Sequence, residues 1–127
     1  MRDLNILIAG TRTYTDYAEA KEFISFYLSK IKSTNNITVF SGGARGADTL
    51  GERYARENGY NIKYFLPQWE KYGKSAGPIR NKTMVQKADY VICFWDGKSR
   101  GTGSTVKFSK IFKKPIRIKF IKADKVV

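Results

Sequence analysis

The chain has 127 residues, a length that predicts one domain over 1–127 with a basic tail at 119–127, and its 42% hydrophobic and 14% aromatic content can fill a core. A single cysteine and the lack of histidine exclude a disulfide framework, a Cys/His metal cluster and a histidine general base, so no metal and no obligatory cofactor is expected. The formal charge of +13 is unevenly placed: residues 1–60 carry 8 Lys/Arg against 7 Asp/Glu, and residues 61–127 carry 16 against 4. The basic half either faces a polyanion such as single-stranded nucleic acid or simply solvates the outer helices and the tail.

The start, Met1-Arg2-Asp3-Leu4, has no signal-peptide layout, and no apolar run approaches the roughly 18 residues of a membrane span. A cytoplasmic protein without a membrane partner is expected. Short apolar runs then alternate with segments of helical period, which predicts an α/β fold: a Rossmann-like, doubly wound, mainly parallel sheet of about five strands with helices on both faces.

The first strand is expected at 4–9, followed by a helix at 16–32 capped by Asp16, whose Phe23, Phe26, Tyr27 and Ile31 form a core face. A strand at 37–41 and a helix at 46–58 follow, the helix closing at Asn58-Gly59. The third strand spans 61–66. After the turn-prone Gly73 to Gly77, a helix runs over 77–88 with Pro78 in its first turn. A strand at 90–95 places Cys93 in the core as a small hydrophobe, and a helix at 102–112 leads to a last strand at 115–120.

In such sheets ligands bind beyond the carboxyl ends of the strands. Three glycine-bearing loops fall on that edge: Gly10-Thr11-Arg12, Ser41 to Asp48, and Asp96 to Thr105. In Ser41-Gly42-Gly43-Ala44-Arg45-Gly46, paired glycines let the backbone turn sharply, and the helix that follows aims free amides and its positive dipole end at an anion. The pattern is neither Gly-x-Gly-x-x-Gly nor a Walker loop, so P-loop hydrolysis is disfavoured, and a plain tight turn explains the glycines as well. Arg45 either grips a phosphate or faces solvent; Asp48 either meets a ribose hydroxyl or stabilises the helix dipole. Gly101-Thr102-Gly103-Ser104-Thr105 repeats the arrangement, with ordinary N-capping by Thr102 or Ser104 as its alternative. Arg12 and the Arg80-Asn81 pair converge on the same crevice unless they form structural salt bridges. Trp95, at the mouth of the fourth strand, is placed to stack on a base, whereas Trp69 reads as core or rim packing.

Gly10-Thr11-Arg12 with Asp16, then Ser41 to Asp48, then Trp69 followed by Ala76-Gly77-Pro78-Ile79-Arg80-Asn81, then Arg100 to Thr105, resemble the SLOG superfamily, in particular its YspA/YpsA-related branch. The likeness covers about residues 4–118, with four motifs in order. It implies a Rossmann-like sheet with a pocket for nucleotides or nucleotide derivatives, in proteins proposed to sense or process such ligands in bacterial and phage conflict or stress systems. It also implies pairing into homodimers. DprA-like relatives, which bind single-stranded DNA, share an Arg-Gly loop and a later Arg-Asn pair. LOG-type phosphoribohydrolases share the late Gly-x-Gly-Thr loop but follow it with catalytic glutamates, where this chain has Gly103, Ser104 and Thr105. That absence ranks nucleotide binding above N-glycosidic cleavage, for which Asp48 or Asp96 would have to serve, and DprA-like single-stranded DNA binding stands as the alternative that the basic half favours.

Overall fold

The computed structural model describes residues 3–31 and 36–122; the expected helix end at Lys32 and the tail from residue 123 onward lie outside them. Five strands form one parallel sheet in the order β3-β2-β1-β4-β5. They are β1 (Asp3–Gly10), β2 (Asn36–Ser41), β3 (Asn61–Tyr64), β4 (Tyr90–Trp95) and β5 (Ile116–Phe120). The helices are α1 (Tyr17–Leu28), α2 (Ala47–Glu57), the short α3 (Trp69–Tyr72), α4 (Ala76–Lys87) and α5 (Arg100–Ile111), with a 3-10 turn at Gly73–Ser75 between α3 and α4.

Strand periodicity separates two cores. Leu4, Ile6 and Ile8 of β1 point to one face, where they meet Ile37, Val39, Ile92 and Phe94 under α1 and α2. Leu7 and Ala9 point to the other, where they meet Phe40, Val91, Cys93, Met84 and Val106 under α4 and α5. Central strands covered on both faces are apolar at successive positions, which is why β1 and β4 read as near-continuous hydrophobic runs. Cys93 is fully buried, and burial pushes its thiol up to about 12, so it is packing material.

Asp16 caps α1 as expected, accepting from the Glu19 amide at 3.0 Å. The stretch from Gly73, read as turn-prone, carries the 3-10 turn, and α3 precedes it over Trp69–Tyr72, where no helix was expected. The helix expected at 102 starts earlier, at Arg100, for a reason that lies in the loop before it.

Candidate ligand cleft

The chain crosses from β1 to β2 on one side and from β4 to β5 on the other, so the sheet order reverses between β1 and β4. Neighbouring crossovers leave a crevice at such a switch point. A cavity of about 430 Å³ opens there, lined by Gly10, Thr11, Arg12, Ala44, Asp48, Arg80, Asn81, Ser99, Arg100, Thr102 and Thr105 among others. A second recess, of about 640 Å³, shares Arg12, Ala44, Arg80, Asn81, Arg100 and Gly101 with the first. It extends outward to Leu66, Pro67, Trp69, Gly77 and Pro78. The two are an inner and an outer half of one cleft, and the arginines stand at the waist between them.

The inner half is built from loops that hold one another. The Thr11 amide donates to the Phe94 carbonyl at 2.9 Å, the Asp96 amide donates to Thr11 Oγ1 at 3.2 Å, and the Ala47 amide donates to the Thr11 carbonyl at 3.2 Å. Gly46, which leads into α2, has φ 76° and ψ −127°, and a Cβ there would lie 2.5 Å from the Thr11 carbonyl oxygen. Only glycine fits that close approach.

In the β2–α2 loop the amides are partly claimed by the protein itself. Buried Ser41 donates from Oγ to Glu52 Oε2 at 2.7 Å and accepts from the Gly43 amide at 3.1 Å. The Ala44 amide donates to Asp48 Oδ2 at 3.1 Å. Asp48 is only 7% exposed; burial raises its carboxyl to about 6, against the Ala44 amide and the Arg80 and Arg12 charges, which favour ionisation. Two of the five amides over residues 42–46, those of Gly43 and Ala44, are therefore claimed from within. The carboxylate of Asp48 sits where an anion would, instead of reaching out to a sugar.

Arg80 joins three elements. Its Nη1 donates to the carbonyls of Gly42 at 2.8 Å and Phe65 at 3.1 Å, and its Nε donates to Asn81 Oδ1 at 2.9 Å. A Cβ on Gly42 would lie 2.6 Å from Arg80 Nη1 and 3.0 Å from Asp48 Oδ2, so cation, carboxylate and backbone meet at this glycine. Burial draws the guanidinium below its ordinary pKa, and Asp48 opposes that shift. Asn81 in turn donates from Nδ2 to the Gly101 carbonyl at 3.3 Å, tying α4 to α5.

The β4–α5 loop departs from its expected layout. Asp96 Oδ1 accepts from the amides of Lys98 and Ser99, each at 2.8 Å, and from Ser99 Oγ at 3.0 Å; these bonds hold its carboxyl below the usual range. That turn launches α5 at Arg100, and the Gly103 amide already donates to Ser99 at 3.0 Å. Thr102 and Ser104 therefore do not cap the helix; they lie inside it. The first-turn amides that point at the cleft belong to Arg100, Gly101 and Thr102, and those of Gly103 to Thr105 are spent on the helix.

Of the residues singled out in the sequence, Gly10, Thr11, Asp48, Thr102 and Thr105 line the inner half alone, whereas Arg12 lines both halves. Gly42, Gly43, Arg45 and Ser104 line the outer half, and Ala44, Arg80, Asn81 and Gly101 line both. Ser41 and Gly46 support the loops from beneath. Trp95 does not face the cleft: its indole donates to the Ser99 carbonyl at 3.1 Å, its ring lies 6.0 Å from that of Phe120, and a Cβ on Gly103 would touch it at 3.4 Å. Sequence reasoning missed Ser99 and Arg100 as lining groups, although Arg100 adjoins the glycine loop. It also set aside Trp69, which lies on the rim and is 56% exposed.

A Rossmann-like sheet with glycine loops, arginines and helix amides gathered at its switch point defines the class: an α/β protein with a cleft suited to an anionic ligand. Residues 4–72 match the YspA, cpYpsA-related SLOG family, and the chain belongs to that family. It is similar to the Gene 61 protein of Mycobacterium phage D29, with 37% identity over 103 residues that cover 76% of this chain and 81% of that protein. The X-ray structure of TM1055 shares the fold, at a TM-score of 0.59 and 19% identity over 91% of this chain and 72% of that one. A predicted subunit of a tRNA methyltransferase from Methanocaldococcus jannaschii aligns at a TM-score of 0.43 and 11% identity, over 95% of this chain and 68% of that one. Among the described residues, no helix is long and apolar enough to cross a membrane.

Proposed function

We propose that the protein binds a nucleotide or nucleotide derivative, with the phosphate at the waist of the cleft. The carrying observation is that Arg12, Arg80 and Arg100 line both halves, beside the first-turn amides of α5. Arginine forks and helix-start amides are the usual partners of phosphate oxygens. Membership of a SLOG family supports the ligand class, and a sensing or sequestering role in phage or bacterial stress signalling is the part such binding would play.

Arg100 offers the cleanest test, because it is exposed and makes no side-chain hydrogen bond or ion pair among the described residues. Calorimetric titration of nucleoside 5′-monophosphates should show Arg100→Ala weakening affinity about tenfold, the worth of one charge-assisted contact, with the unfolding temperature unchanged. Gly43→Asp, which places a carboxylate on the cleft wall at φ 73°, should weaken it further. Unchanged affinity in both variants removes the waist as the phosphate seat.

One observation favours a second reading, cleavage of the bond between base and ribose phosphate. Asp48 is a buried carboxyl at the inner half whose pKa of about 6 suits proton transfer near neutral pH. Release of free base from nucleoside monophosphates, lost in Asp48→Asn, would establish it.

A further inference from the structure

The outer half of the cleft carries the densest exposed apolar surface near the site. Leu66 is 65% exposed and Trp69 56%, and both line the recess together with Pro67 and Pro78. Neither side chain is loose. A Cβ on Gly43 would lie 2.9 Å from a Leu66 methyl, so Leu66 rests on the glycine loop, and a Cβ on Gly77 would lie 3.8 Å from the Trp69 ring edge, so the indole stands over the start of α4. A tryptophan seated on backbone with more than half its surface in water is an unfinished contact.

The inner half cannot complete it. Its walls include Thr11, Asp48, Asn81 and Ser99, whose side chains hydrogen-bond to backbone or to one another, and its lining carries no aromatic ring. A phosphate at the waist leaves its ribose and base free to run into either half. Only the outer one presents an aromatic plane.

Building on the phosphate assignment above, we infer that Trp69, flanked by Leu66 and Pro67, is the stacking shelf for the base of the bound nucleotide and so sets the preference for nucleosides over bare sugar phosphates. Every base has a π-face, so the shelf discriminates ring from no ring far more than one base from another. The polar side chains that line the recess, and with which the edge of the base could pair, are the waist arginines, Arg45, Asn81 and Ser104.

The probes are adenosine 5′-monophosphate and ribose 5-phosphate, titrated into wild type, Trp69→Ala and Trp69→Phe, with indole fluorescence read in parallel. Wild type should bind the nucleotide about 5- to 150-fold tighter than the sugar phosphate, the range that stacking of one base on an aromatic ring supplies. Trp69→Ala should abolish that ratio and Trp69→Phe keep most of it. Only the nucleotide should quench Trp69, against an unchanged Trp95 background. If ribose 5-phosphate binds but Trp69→Ala leaves the ratio intact, the shelf is overturned while the phosphate seat stands. If neither probe binds, both fall. If Trp69→Ala instead dissociates a dimer in sedimentation and leaves the ratio intact, the face is an interface between copies and the shelf is likewise overturned.

Discussion

The inner and outer halves of the cleft adjoin, yet they are held in place by different means. Inside, almost every polar group is satisfied by another part of the chain: Thr11 by the β4 end, Asp96 by Ser99, Asp48 by the Ala44 amide, Asn81 by Arg80 and the Gly101 carbonyl. Outside, Leu66 and Trp69 touch backbone on one side and water on the other. The inner half is therefore part of the folded scaffold, and the outer half is surface awaiting a partner group. Substitutions should separate the two by their effect on stability.

The largest effect belongs to Arg80→Ala. It removes three hydrogen bonds, two of which pin the carbonyls after β2 and β3 to α4 through a charged donor, while the third orients the neighbouring Asn81. A loss of about 3 kcal/mol is expected in denaturant unfolding, together with the loss of nucleotide binding. Stability within error of wild type would show the guanidinium to be a ligand group held near the loops rather than a tie between them.

Next comes Asp48→Asn, whose sign is opposite. Because burial raises the folded carboxyl from 3.8 to about 6, the folded state holds a proton that the unfolded chain releases. The contribution of Asp48 to stability is therefore fully present below the unfolded value and is lost as pH rises through the folded one, amounting to about 2–3 kcal/mol above pH 7. Asparagine keeps an oxygen for the Ala44 amide and carries no charge to bury. The variant should unfold at a higher temperature than wild type at pH 8, and the gap should close by pH 4. A gap that does not change with pH would mean that Asp48 is ionised without penalty.

The sheet was legible in the sequence because β1 and β4 are buried on both faces and their residues leave no other reading. Boundaries were harder where a side chain far from the helix decides them. Asp96 turns the backbone so that α5 starts at Arg100, and nothing in the glycine pattern of 101–105 shows that the amides of 103–105 are consumed by the helix. The edge of the sheet on which the loops gather followed from strand order. Which way a side chain turns at a strand end did not: Trp95 folds back onto the Ser99 carbonyl and Phe120, a residue on a different strand. Asp48 illustrates the same limit, because its partner amide lies in its own loop while its burial comes from the whole fold.

The smallest expected effect sharpens the contrast most. Leu66→Ser deletes a side chain that is 65% exposed and whose close contact is with the backbone of Gly43. Little apolar area returns to water, no hydrogen bond is lost, and serine suits the segment after β3, so the stability change should stay within about 0.5 kcal/mol, the scale of ordinary surface substitutions. A fall of 2 kcal/mol or more, on the order of a core truncation, would mean that Leu66 pins the glycine loop in the unliganded protein. The outer half would then be scaffold like the inner one, and the open apolar face would be part of what keeps residues 42–46 in place. A neutral result leaves Leu66 and Trp69 as surface that folding does not require, and its place on the cleft wall is then accounted for by what binds there.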